Sequence, residues 1–490
     1  MHDKLSNKTM DLIQHWCQKT TQNKQPQSDK AIALITPQGC YTWPQLDLFV
    51  QNMAEQLALQ GVVQSSVVAA IGKNHHDLVI LYLACLRLGA LCALIPPQSR
   101  DLIQQKLSII QVQFIWLGEG CSALDASMLS GSLLRFLKSN VSIHSSSAHL
   151  ESMNFTHYKN SNLASIVFTS GSTGVPKAVV HSASQHLASA KGLTSEFEFT
   201  SKDSWLLSLP MYHVSGLSII WRWLNQGAQL VIGTGQLSQD IQLVTHASLV
   251  PVQLQNLLAE GKPSSLKRVL LGGAHIPLPL TETAIKQGIE CWVGYGMTET
   301  ASNVIAKKCD GSATSGHVLP HRKVKIEDGR IYVAGETLAV GYLSYGKITP
   351  LVTGDQPWFD TKDLGMKHEV AGGLMEIEVL GRSDNLFISG GENIHCEEIE
   401  AALAKHPDIQ QVLVIPIVNQ QYGHRPVAFL QTNKLLQGSD YQTFLQPYLD
   451  KFKCPDIYYL LPEDLLSTGI KISRADLKDY YAQHLQNKMT

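Results

Sequence analysis

Short apolar runs that alternate with longer helix-like segments constrain the fold of this chain more than any other feature of its sequence. Runs such as SSVVAAI, ASIVFTS, AQLVIG and RVLLGG have the length and the β-branched content of buried strands. Between them, segments such as SQHLASAKGL and LSIIWRWLNQG repeat their apolar residues with the period of an α-helix. This alternation predicts a layered α/β architecture with large central sheets.

The pattern changes twice towards the C-terminal end. From about Gly329 to Leu380, short strands with turn signals, such as EDGRIYVAGE and GYLSYG, predict a small antiparallel β unit. After GRSDN, the segment CEEIEAALAKHPDI predicts a helix that ends at Pro407, and strands and further helices follow. We therefore expect a large domain over residues 1–383, with two layered α/β sheets and the small β unit, and a small mobile α+β domain over residues 384–490.

The charge balance and the cysteines exclude several classes of protein. The 490 residues carry 39 Lys and Arg against 41 Asp and Glu, which gives a net charge of −2. A nucleic-acid-binding protein normally has a basic stripe, so no nucleic-acid partner is expected. The nine cysteines are scattered without a CxxC pair or a zinc-ligand spacing. They predict neither a zinc site nor a disulfide framework, and they indicate a reducing compartment.

One apolar stretch is almost long enough to span a membrane. It runs from Leu78 to Pro96 as LVILYLACLRLGALCALIP, but Arg87 lies at its centre and Gly89 interrupts it. We interpret it as a buried helix that leads into a short buried strand. The N-terminal residues lack the apolar core and the cleavage site of a signal peptide. We expect a cytoplasmic protein without a membrane span.

The segment TSGSTGVPK is the most informative part of the sequence. Its glycines allow tight left-handed turns, its hydroxyls and backbone N–H groups can donate to phosphate oxygens, and its lysine adds positive charge. The residues concerned are Thr169, Ser170, Gly171, Ser172, Thr173, Gly174 and Lys177. The pattern differs from the GxxxxGK[ST] P-loop, and Pro176 followed by AVV predicts a loop between two strands. The alternative is a flexible Ser/Gly connector, but the flanking strands and the Pro-Lys ending favour a phosphate cradle.

Two other glycine-containing segments fit a nucleotide site. In GYGMTE, Thr298 and Glu299 follow what we interpret as a glycine-rich turn. A carboxylate beside a polyphosphate is repelled unless Mg²⁺ lies between them. The segment LLGGAHIP, from Leu270 to Pro277, is predicted to be a strand that ends in two glycines, which lets a flat base approach the backbone. Taken alone, each segment also fits an ordinary helix start or strand-to-helix turn.

Four segments together resemble the signatures of one superfamily. TSGSTGVPK, GYGMTETAS, GRSDNLFISGGENIHCEEIE and GIKISR occur in this order over nearly the whole chain. They resemble the motifs of the adenylate-forming superfamily, which comprises acyl-CoA synthetases, peptide-synthetase adenylation domains and luciferases. The resemblance implies an enzyme that binds ATP and Mg²⁺ and makes an acyl-adenylate, with no covalent enzyme intermediate.

The resemblance also implies roles for residues of the large domain. Glu299 would hold Mg²⁺, with Thr298 and Lys177 beside the reacting phosphates. In WFDTKDLG only Asp363 matches the family's ribose-binding segment, because Asp360 and Lys362 replace its common Arg and Gly. The remaining nucleotide-binding residues implied in this way are Gly272, Gly273, Ala274, Gly294, Tyr295, Gly296 and Arg382.

The small domain would contribute the catalytic lysine and a hinge. Lys471 matches the family lysine that contacts the carboxylate and the α-phosphate during adenylation. This chain has GIK where most relatives have GK, which leaves the KIxR part intact and the shape of the loop in question. Asp384 matches the hinge position, and Gly390 and Gly391 follow in a loop that would line the coenzyme A tunnel.

The segment WLLSLPMYHVSGLSIIWRWL, from Trp205 to Leu224, points to the acid-binding pocket. Arg222 lies in an apolar helical stretch, where it is either a surface residue with a buried stem or a buried partner for a carboxylate. Together with THASLVPVQL, GHRPVA and the other segments, this pattern resembles the o-succinylbenzoate–CoA ligase family of menaquinone biosynthesis. That resemblance implies coenzyme A as co-substrate, Arg222 and Ser215 as substrate-binding residues, and His213 as a residue that lines or gates the pocket.

Three alternatives stay open at this point. A synthetase for another aryl or fatty carboxylate would share every motif except the substrate segment. A peptide-synthetase adenylation domain is disfavoured, because no carrier segment follows GIKISR. A non-catalytic homologue would be expected to lack Glu299 or Lys471, and both are present. The sequence leaves open whether the protein forms a homo-oligomer.

Overall fold

The structure is a computed structural model of the 490-residue chain. It describes residues 11–22, 31–118, 121, 132–134, 158–169, 176–261, 265–272, 276–354, 356–370, 372–389, 392–466, 472 and 474–485.

These residues form helices and strands that alternate along most of the chain. The helices are α1 Leu12–Gln22, α2 Trp43–Leu59, α3 His76–Leu88, α4 Arg100–Ile110, α5 Ala183–Thr194, α6 Val214–Gln226, α7 Leu237–Asp240, α8 Pro251–Glu260, α9 Leu278–Lys286, α10 Cys396–Leu403, α11 Gly438–Leu445, α12 Glu463–Leu466 and α13 Arg474–His484. The strands are β1 Ile32–Thr36, β2 Gly39–Thr42, β3 Val67–Ile71, β4 Leu91–Ile95, β5 Phe114–Leu117, β6 Ser132–Leu133, β7 Leu163–Thr169, β8 Lys177–Ser182, β9 Ser204–Leu206, β10 Gln229–Val231, β11 His246–Leu249, β12 Arg268–Leu271, β13 Glu290–Met297, β14 Ser302–Lys308, β15 His317–Val318, β16 Arg322–Glu327, β17 Arg330–Gly335, β18 Gly341–Ser344, β19 Lys347–Pro350, β20 Phe359–Glu369, β21 Met375–Arg382, β22 Leu386–Ser389, β23 Glu392–His395, β24 Ile409–Asn419, β25 Gly423–Thr432 and β26 Ile457–Leu460.

Two large sheets form the bulk of the fold, which confirms the predicted α/β class. The first has nine strands in the order β15-β14-β13-β12-β11-β9-β10-β1-β2, and its central strands are parallel. The second has eight strands in the order β19-β18-β8-β7-β4-β3-β5-β6. Central strands such as β4 and β11 are buried at every residue, as expected where helices cover both faces of a parallel sheet.

Helices α2, α3, α5 and α6 join the two sheets through the largest hydrophobic core. Trp43 of α2 stacks on Trp223 of α6 with ring centroids 5.3 Å apart. The apolar stretch from Leu78 to Pro96 is α3 followed by β4, as predicted. Arg87 in α3 is buried and bonds Asp11 at 2.7 Å and Asp47 at 2.6 Å, which compensates its charge. None of the described helices has the length and apolarity needed to cross a membrane.

The segment from Gly329 to Leu380 is only partly the small β unit that the sequence predicts. Strands β16, β17, β20 and β21 form a four-stranded antiparallel sheet. The β18–β19 hairpin, which contains GYLSYG, instead extends the eight-stranded sheet by pairing with β8. The prediction was wrong here because hairpin signals are local, whereas the partner of an edge strand is set by tertiary topology.

The last hundred residues have a sheet and hydrophobic clusters of their own. Strands β22 to β26 form one sheet, packed on α10, α11 and α13. The predicted domain boundary at Asp384 falls in the 3₁₀ turn Ser383–Asn385, between β21 of one sheet and β22 of the next. Helix α10 ends at Leu403 rather than at Pro407, because Ala404 is its C-cap residue and the chain forms a turn there, before it reaches the proline.

Candidate active site

The predicted phosphate loop lies between two paired strands, as the sequence indicated. Strands β7 and β8 run antiparallel, and their last pair joins Thr169 to Lys177. The two ends of the loop are therefore fixed side by side, where β7 ends and β8 begins. The loop residues Ser170, Gly171, Ser172, Thr173 and Gly174 lie outside the described residues.

Glu299 lies close to Lys177, at the end of the predicted loop, although it follows a strand of the other large sheet. It follows β13 in the 3₁₀ turn Thr298–Thr300. The Tyr342 hydroxyl donates to Glu299 Oε1 at 2.9 Å, and Lys177 Nζ lies 5.2 Å from the centre of the Tyr342 ring. Burial, and secondly the Glu299 charge, raise the pKa of Tyr342, so its hydroxyl stays a donor. Tyr342 thus brings Lys177 and Glu299 together.

Tyr342 is a residue of the candidate site that sequence reasoning missed. It lies in GYLSYG, which we assigned to the small β unit, whereas β18 pairs with β8 and places Tyr342 opposite Val179. The only sequence signal was an aromatic residue in a short turn-rich strand, which is common in any antiparallel sheet.

The glycines of GYGMTE form part of a strand rather than the predicted turn. Gly294 and Gly296 lie within β13 and approach β14 closely. A Cβ at Gly296 would come within 2.1 Å of the Ser302 carbonyl oxygen, and one at Gly294 within 2.3 Å of Asn303 Nδ2. The glycines therefore serve close strand pairing at a register shift between Tyr295 and Gly296.

Asp363 forms a small polar cluster with two other predicted nucleotide-binding residues. The Tyr295 hydroxyl donates to Asp363 Oδ2 at 2.6 Å, and Arg382 Nη1 lies 3.6 Å from Oδ1. Burial, and secondly Asp363, raise the pKa of Tyr295 well above its usual value, which keeps the hydroxyl protonated. The backbone N–H of the buried Asp363 donates to Thr361 Oγ1 at 3.1 Å. The structure therefore brings Tyr295, Asp363 and Arg382 together.

Other predicted residues are placed only in part. Gly272 directly follows β12, and a Cβ at this position would lie 3.7 Å from the Gly294 carbonyl oxygen. Gly273, Ala274, Gly390, Gly391 and Lys471 lie outside the described residues. Asp384 is placed by its backbone in the turn between β21 and β22. Their predicted roles stay predictions.

Arg222 is a buried cation whose partners are all neutral. It lies in α6 with 2% of its surface exposed. Its Nη2 donates to Ser302 Oγ at 3.1 Å and Asn303 Oδ1 at 3.0 Å, and its Nη1 to Ser248 Oγ at 3.4 Å. Burial, and secondly the charge of Arg322, lower its pKa to about 9. Within the described part of the chain, no carboxylate pairs with Arg222.

The backbone at one of these partners is unusual. Ser302 has φ of 111° and follows Ala301 with φ of 53°, so two non-glycine residues have left-handed φ values directly after the Glu299 turn. Such conformations cost about 1–3 kcal/mol each and concentrate at functional sites. The strained turn connects Glu299 to Ser302, and thereby connects the residue predicted to hold Mg²⁺ to a partner of Arg222.

His213 and Ser215 lie at the start of α6, and Arg222 lies two turns further along the same helix. At 1.5 Å per residue, the nine residues from His213 to Arg222 span about 13 Å. Burial, and secondly the Lys106 charge, lower the pKa of His213.

Asn74 fixes the loop that precedes α6, since its Nδ2 donates to the carbonyl oxygens of Leu207 at 3.1 Å and Leu209 at 2.8 Å. Sequence reasoning missed Asn74, which lies in an unremarkable loop after β3.

Comparison with known proteins gives a consistent match. Residues 20–343 match the family model described as "AMP-binding enzyme". The 2-succinylbenzoate–CoA ligase of Escherichia coli is 39% identical over 456 residues, which are 92% of this chain and 95% of the relative. The Haemophilus influenzae protein of the same name is 39% identical over 94% of this chain and 97% of its own length.

Solved structures agree with the sequence relatives. A variant of Escherichia coli MenE with bound OSB-AMS superposes with a TM-score of 0.83 at 36% identity, over 96% of this chain and 98% of that chain. The Bacillus subtilis o-succinylbenzoate CoA synthetase in complex with ATP and magnesium ion has a TM-score of 0.77 at 26% identity, over 92% and 95%. The chain belongs to the AMP-binding enzymes of the adenylate-forming superfamily, and it is homologous to the 2-succinylbenzoate–CoA ligases over nearly its whole length.

Proposed function

We propose that this chain is an o-succinylbenzoate–CoA ligase of menaquinone biosynthesis that uses ATP, Mg²⁺ and coenzyme A. The observation that carries the choice of acid is Arg222, a fully buried guanidinium that has neutral partners only. Burying a charged group in the protein interior costs free energy unless a partner compensates the charge. The aromatic carboxylate of o-succinylbenzoate, which does not react, is a partner of the right charge and geometry.

The reaction proceeds in two displacement steps. In the first, an oxygen of the succinyl carboxylate attacks the α-phosphorus of ATP, a new P–O bond forms, and pyrophosphate leaves with the old bridging oxygen. In the second, the sulfur of coenzyme A attacks the acyl carbon, and AMP leaves with the C–O bonding pair while the thiol loses its proton. Catalysis then depends on positioning and on stabilising charge at the α-phosphate.

On the nucleotide side, the polar cluster around Asp363 suits a ribose. Tyr295 fixes one carboxylate oxygen of Asp363, and a carboxylate can accept several hydrogen bonds at once, as contact with the ribose hydroxyls would require. Arg382, with 43% of its side chain exposed, lies beside the same carboxylate and can reach the phosphate side. Lys177 and the hydroxyl-rich loop that ends at it would contact the β- and γ-phosphates.

Glu299 fits a Mg²⁺ ion. In the described part of the chain its carboxylate accepts a hydrogen bond from the neutral Tyr342 hydroxyl and forms no ion pair, so a lone-pair oxygen remains for a cation. When bound, the metal neutralises phosphate charge. Tyr342 orients the carboxylate, and Thr298 offers its hydroxyl beside the reacting phosphate.

The acid would lie along the first turns of α6. Ser215 and His213 would line the end near the phosphates, and Arg222, about 13 Å further along the helix axis than His213, would meet the second carboxylate of a dicarboxylic acid. Trp205 packs against the Arg222 guanidinium with 5.1 Å to the ring centroid, so an aromatic face is already present beside the cation.

The thioester step requires the small domain to change its orientation. Lys471 belongs to the small domain, whereas Glu299 and the phosphate loop belong to the large one. A lysine that contacts the α-phosphate would obstruct the approach of the thiol to the same carbonyl. We infer that the small domain rotates about Asp384, after which the Gly390-Gly391 loop faces coenzyme A.

The decisive experiment measures pyrophosphate release with a panel of acids. The panel contains o-succinylbenzoate, benzoate, coumarate, fatty acids and 4-oxo-4-phenylbutanoate, which is o-succinylbenzoate without its ring carboxylate. We expect kcat/KM for the last acid to fall by about 30–1000-fold, the equivalent of losing a buried charge pair. Equal use of both acids, or preference for a fatty acid, contradicts the proposal. Thioester formation must also require coenzyme A.

The cellular context follows from the same chemistry. The nine cysteines form no disulfide, which suits a reducing compartment where ATP and coenzyme A are present. We therefore place the reaction in the cytoplasm, and fractionation of cells that express a tagged chain tests this placement.

A further inference from the structure

Two buried histidines lie beneath the turn that contains Glu299, and the proposed mechanism does not use them. His181 in β8 has 0% of its surface exposed, and its Nε2 lies 2.7 Å from the Thr298 carbonyl oxygen. His186 in α5 has its Nε2 2.7 Å from Ser165 Oγ and stacks on the Trp221 ring at 5.1 Å. The two imidazole rings are 4.7 Å apart.

The direction of the His181 bond follows from its acceptor. A carbonyl oxygen can only accept, so His181 Nε2 carries the hydrogen and donates to Thr298. Burial lowers the pKa of His181 to about 4, which keeps the ring neutral near pH 7. The buried Nδ1 of His181 has no hydrogen-bond partner among the described residues, and the same holds for His186 Nδ1.

A buried histidine nitrogen without a partner lowers the stability of a strand in a hydrophobic core. A buried polar atom without a partner costs about 1–3 kcal/mol. The neighbouring positions Val179 and Val180 of β8 are apolar, and an aliphatic residue at position 181 would avoid that cost. Among the described residues, the hydrogen bond that His181 makes is the one to Thr298, so the position of that carbonyl is what the histidine secures.

The Thr298 carbonyl is one of three points that fix Glu299. His181 holds the residue before it, the Ala339 N–H donates to the Glu299 carbonyl oxygen at 2.9 Å, and the Tyr342 hydroxyl holds the carboxylate at 2.9 Å. His181 lies in the strand that begins at Lys177, whereas Thr298 follows β13 of the other large sheet. The bond therefore fixes β8, which begins at Lys177, relative to the turn that contains Glu299.

We propose that His181 is a positioning residue that holds the Thr298–Glu299 turn in the place where Mg·ATP requires it, without touching substrate or metal. This inference rests on the proposed role of Glu299. It predicts that the loss of the Nε2 donor weakens Mg²⁺-dependent ATP binding while the acid pocket is unaffected.

The test uses His181→Leu, which removes the donor, and His181→Gln, which restores an N–H at a similar distance from the main chain. Titration calorimetry measures ATP binding with and without Mg²⁺, and a Mg²⁺ titration of adenylation gives the half-saturating concentration. We expect His181→Leu to raise the Kd for Mg·ATP about tenfold, the equivalent of one lost hydrogen bond. The Thr298 carbonyl keeps only its bond from the Ala301 N–H at 3.1 Å among the bonds described for it. The Kd for metal-free ATP and the KM for the acid should change by less than about twofold, and His181→Gln should recover most of the loss.

The matched control is His246→Leu. His246 is also fully buried, its pKa is also lowered to about 4, and its Nε2 is also without a partner in the described part of the chain, but it lies at the start of β11. Its replacement should change melting temperature without changing the Mg²⁺ dependence.

If His181→Leu and His246→Leu shift the Mg²⁺ dependence of ATP binding alike, His181 is merely structural and the inference is wrong. The inference is also wrong if folded His181→Gln does not recover the Mg²⁺ dependence of the wild type. Calorimetry with Mg·ATP does not involve the acid, so a wrong assignment of o-succinylbenzoate leaves this test intact. If Glu299→Gln has no effect on Mg²⁺ dependence while His181→Leu does, the role proposed for Glu299 fails instead.

Discussion

Replacing Arg222 by methionine distinguishes a cation kept for a ligand from a cation kept for the fold. Methionine is apolar, flexible and helix-compatible, so it fills most of the space and removes the charge. Burial and the neighbouring Arg322 charge lower the pKa of Arg222 to about 9, several units below that of a free guanidinium. At about 1.4 kcal/mol for each tenfold change, the charged guanidinium is disfavoured in the ligand-free protein by about 5 kcal/mol.

Part of this cost is offset by the neutral partners. The bonds to Ser302, Asn303 and Ser248 contribute roughly 1 kcal/mol each, and Ser302 Oγ still donates to Asn303 Oδ1 at 3.1 Å after the arginine is removed. Arg222→Met should therefore raise the free energy of unfolding of the ligand-free protein by about 1–3 kcal/mol near pH 7. Because the folded pKa of Arg222 is the lower one, Arg222 adds a rise of stability with pH above about 9 in the wild type, and this contribution should be absent in the variant, whereas the contribution of Arg322 remains.

Arg322 provides the matched control. Burial lowers its pKa to about 9 as well, but it donates to the carbonyl oxygens of Asn303 at 2.9 Å, Pro320 at 2.7 Å and Ser189 at 3.0 Å. Arg322→Met removes five hydrogen bonds, three of them to these backbone carbonyls, so it should destabilise the protein. The two substitutions remove the same side chain from similar burial and are expected to shift stability in opposite directions.

The assay combines thermal melting with steady-state kinetics. Ligand-free Arg222→Met should melt a few degrees above the wild type, whereas its kcat/KM for o-succinylbenzoate should fall by about 30–1000-fold and its KM for ATP should change little. Added o-succinylbenzoate should raise the melting temperature of the wild type but not of the variant. A variant that melts lower than the wild type and keeps its kcat/KM would show that Arg222 serves the fold, and the proposed acid pocket would have to be abandoned.

Three further predictions concern the nucleotide and the two half-reactions. Glu299→Gln should keep the fold but weaken Mg·ATP binding, because an amide replaces the carboxylate; unchanged binding in calorimetry would contradict this. Asp363→Asn should raise the KM for ATP about tenfold with little change in the KM for the acid, since the ribose loses a charged acceptor; equal changes in both would contradict it. Lys471→Ala should lower adenylation about 100–1000-fold yet still convert a supplied acyl-adenylate, whereas Asp384→Pro should retain adenylation and lose thioester formation. Equal loss in both half-reactions in folded Lys471→Ala would rule out the two-orientation mechanism.

Much of the fold could be predicted from the sequence because its signals are local. Continuous apolar runs such as ASIVFTS became strands buried on both faces, and LSIIWRWLNQG became part of α6. The loop after β7 was predicted to join two strands because a proline and β-branched residues follow it, and β8 begins at Lys177 as expected. These features depend on residues within a few positions of each other, which is the range that periodicity and turn chemistry report.

The contacts that organise the site could not be predicted, because they join distant parts of the chain. Tyr342 reaches Glu299 across 43 residues, and His181 reaches Thr298 across 117. Both depend on how β8, β13 and β18 are arranged in two different sheets, and no local pattern specifies that arrangement. The glycines of GYGMTE were misassigned for the same reason, since their close neighbour is β14 rather than a turn of their own segment.

The proposed nucleotide site is therefore a junction of three sheets rather than the property of one loop. Lys177 ends the loop on the eight-stranded sheet, Glu299 and Tyr295 belong to the nine-stranded sheet, and Asp363 belongs to the four-stranded sheet. Tyr342 and Tyr295 each bond a carboxylate that lies on a different sheet from their own, so each tyrosine joins two of the three units. Because ATP would contact all three, its binding favours the assembled state over any state in which one sheet has separated. Mutations that loosen the junction should consequently weaken ATP binding before they unfold any single sheet.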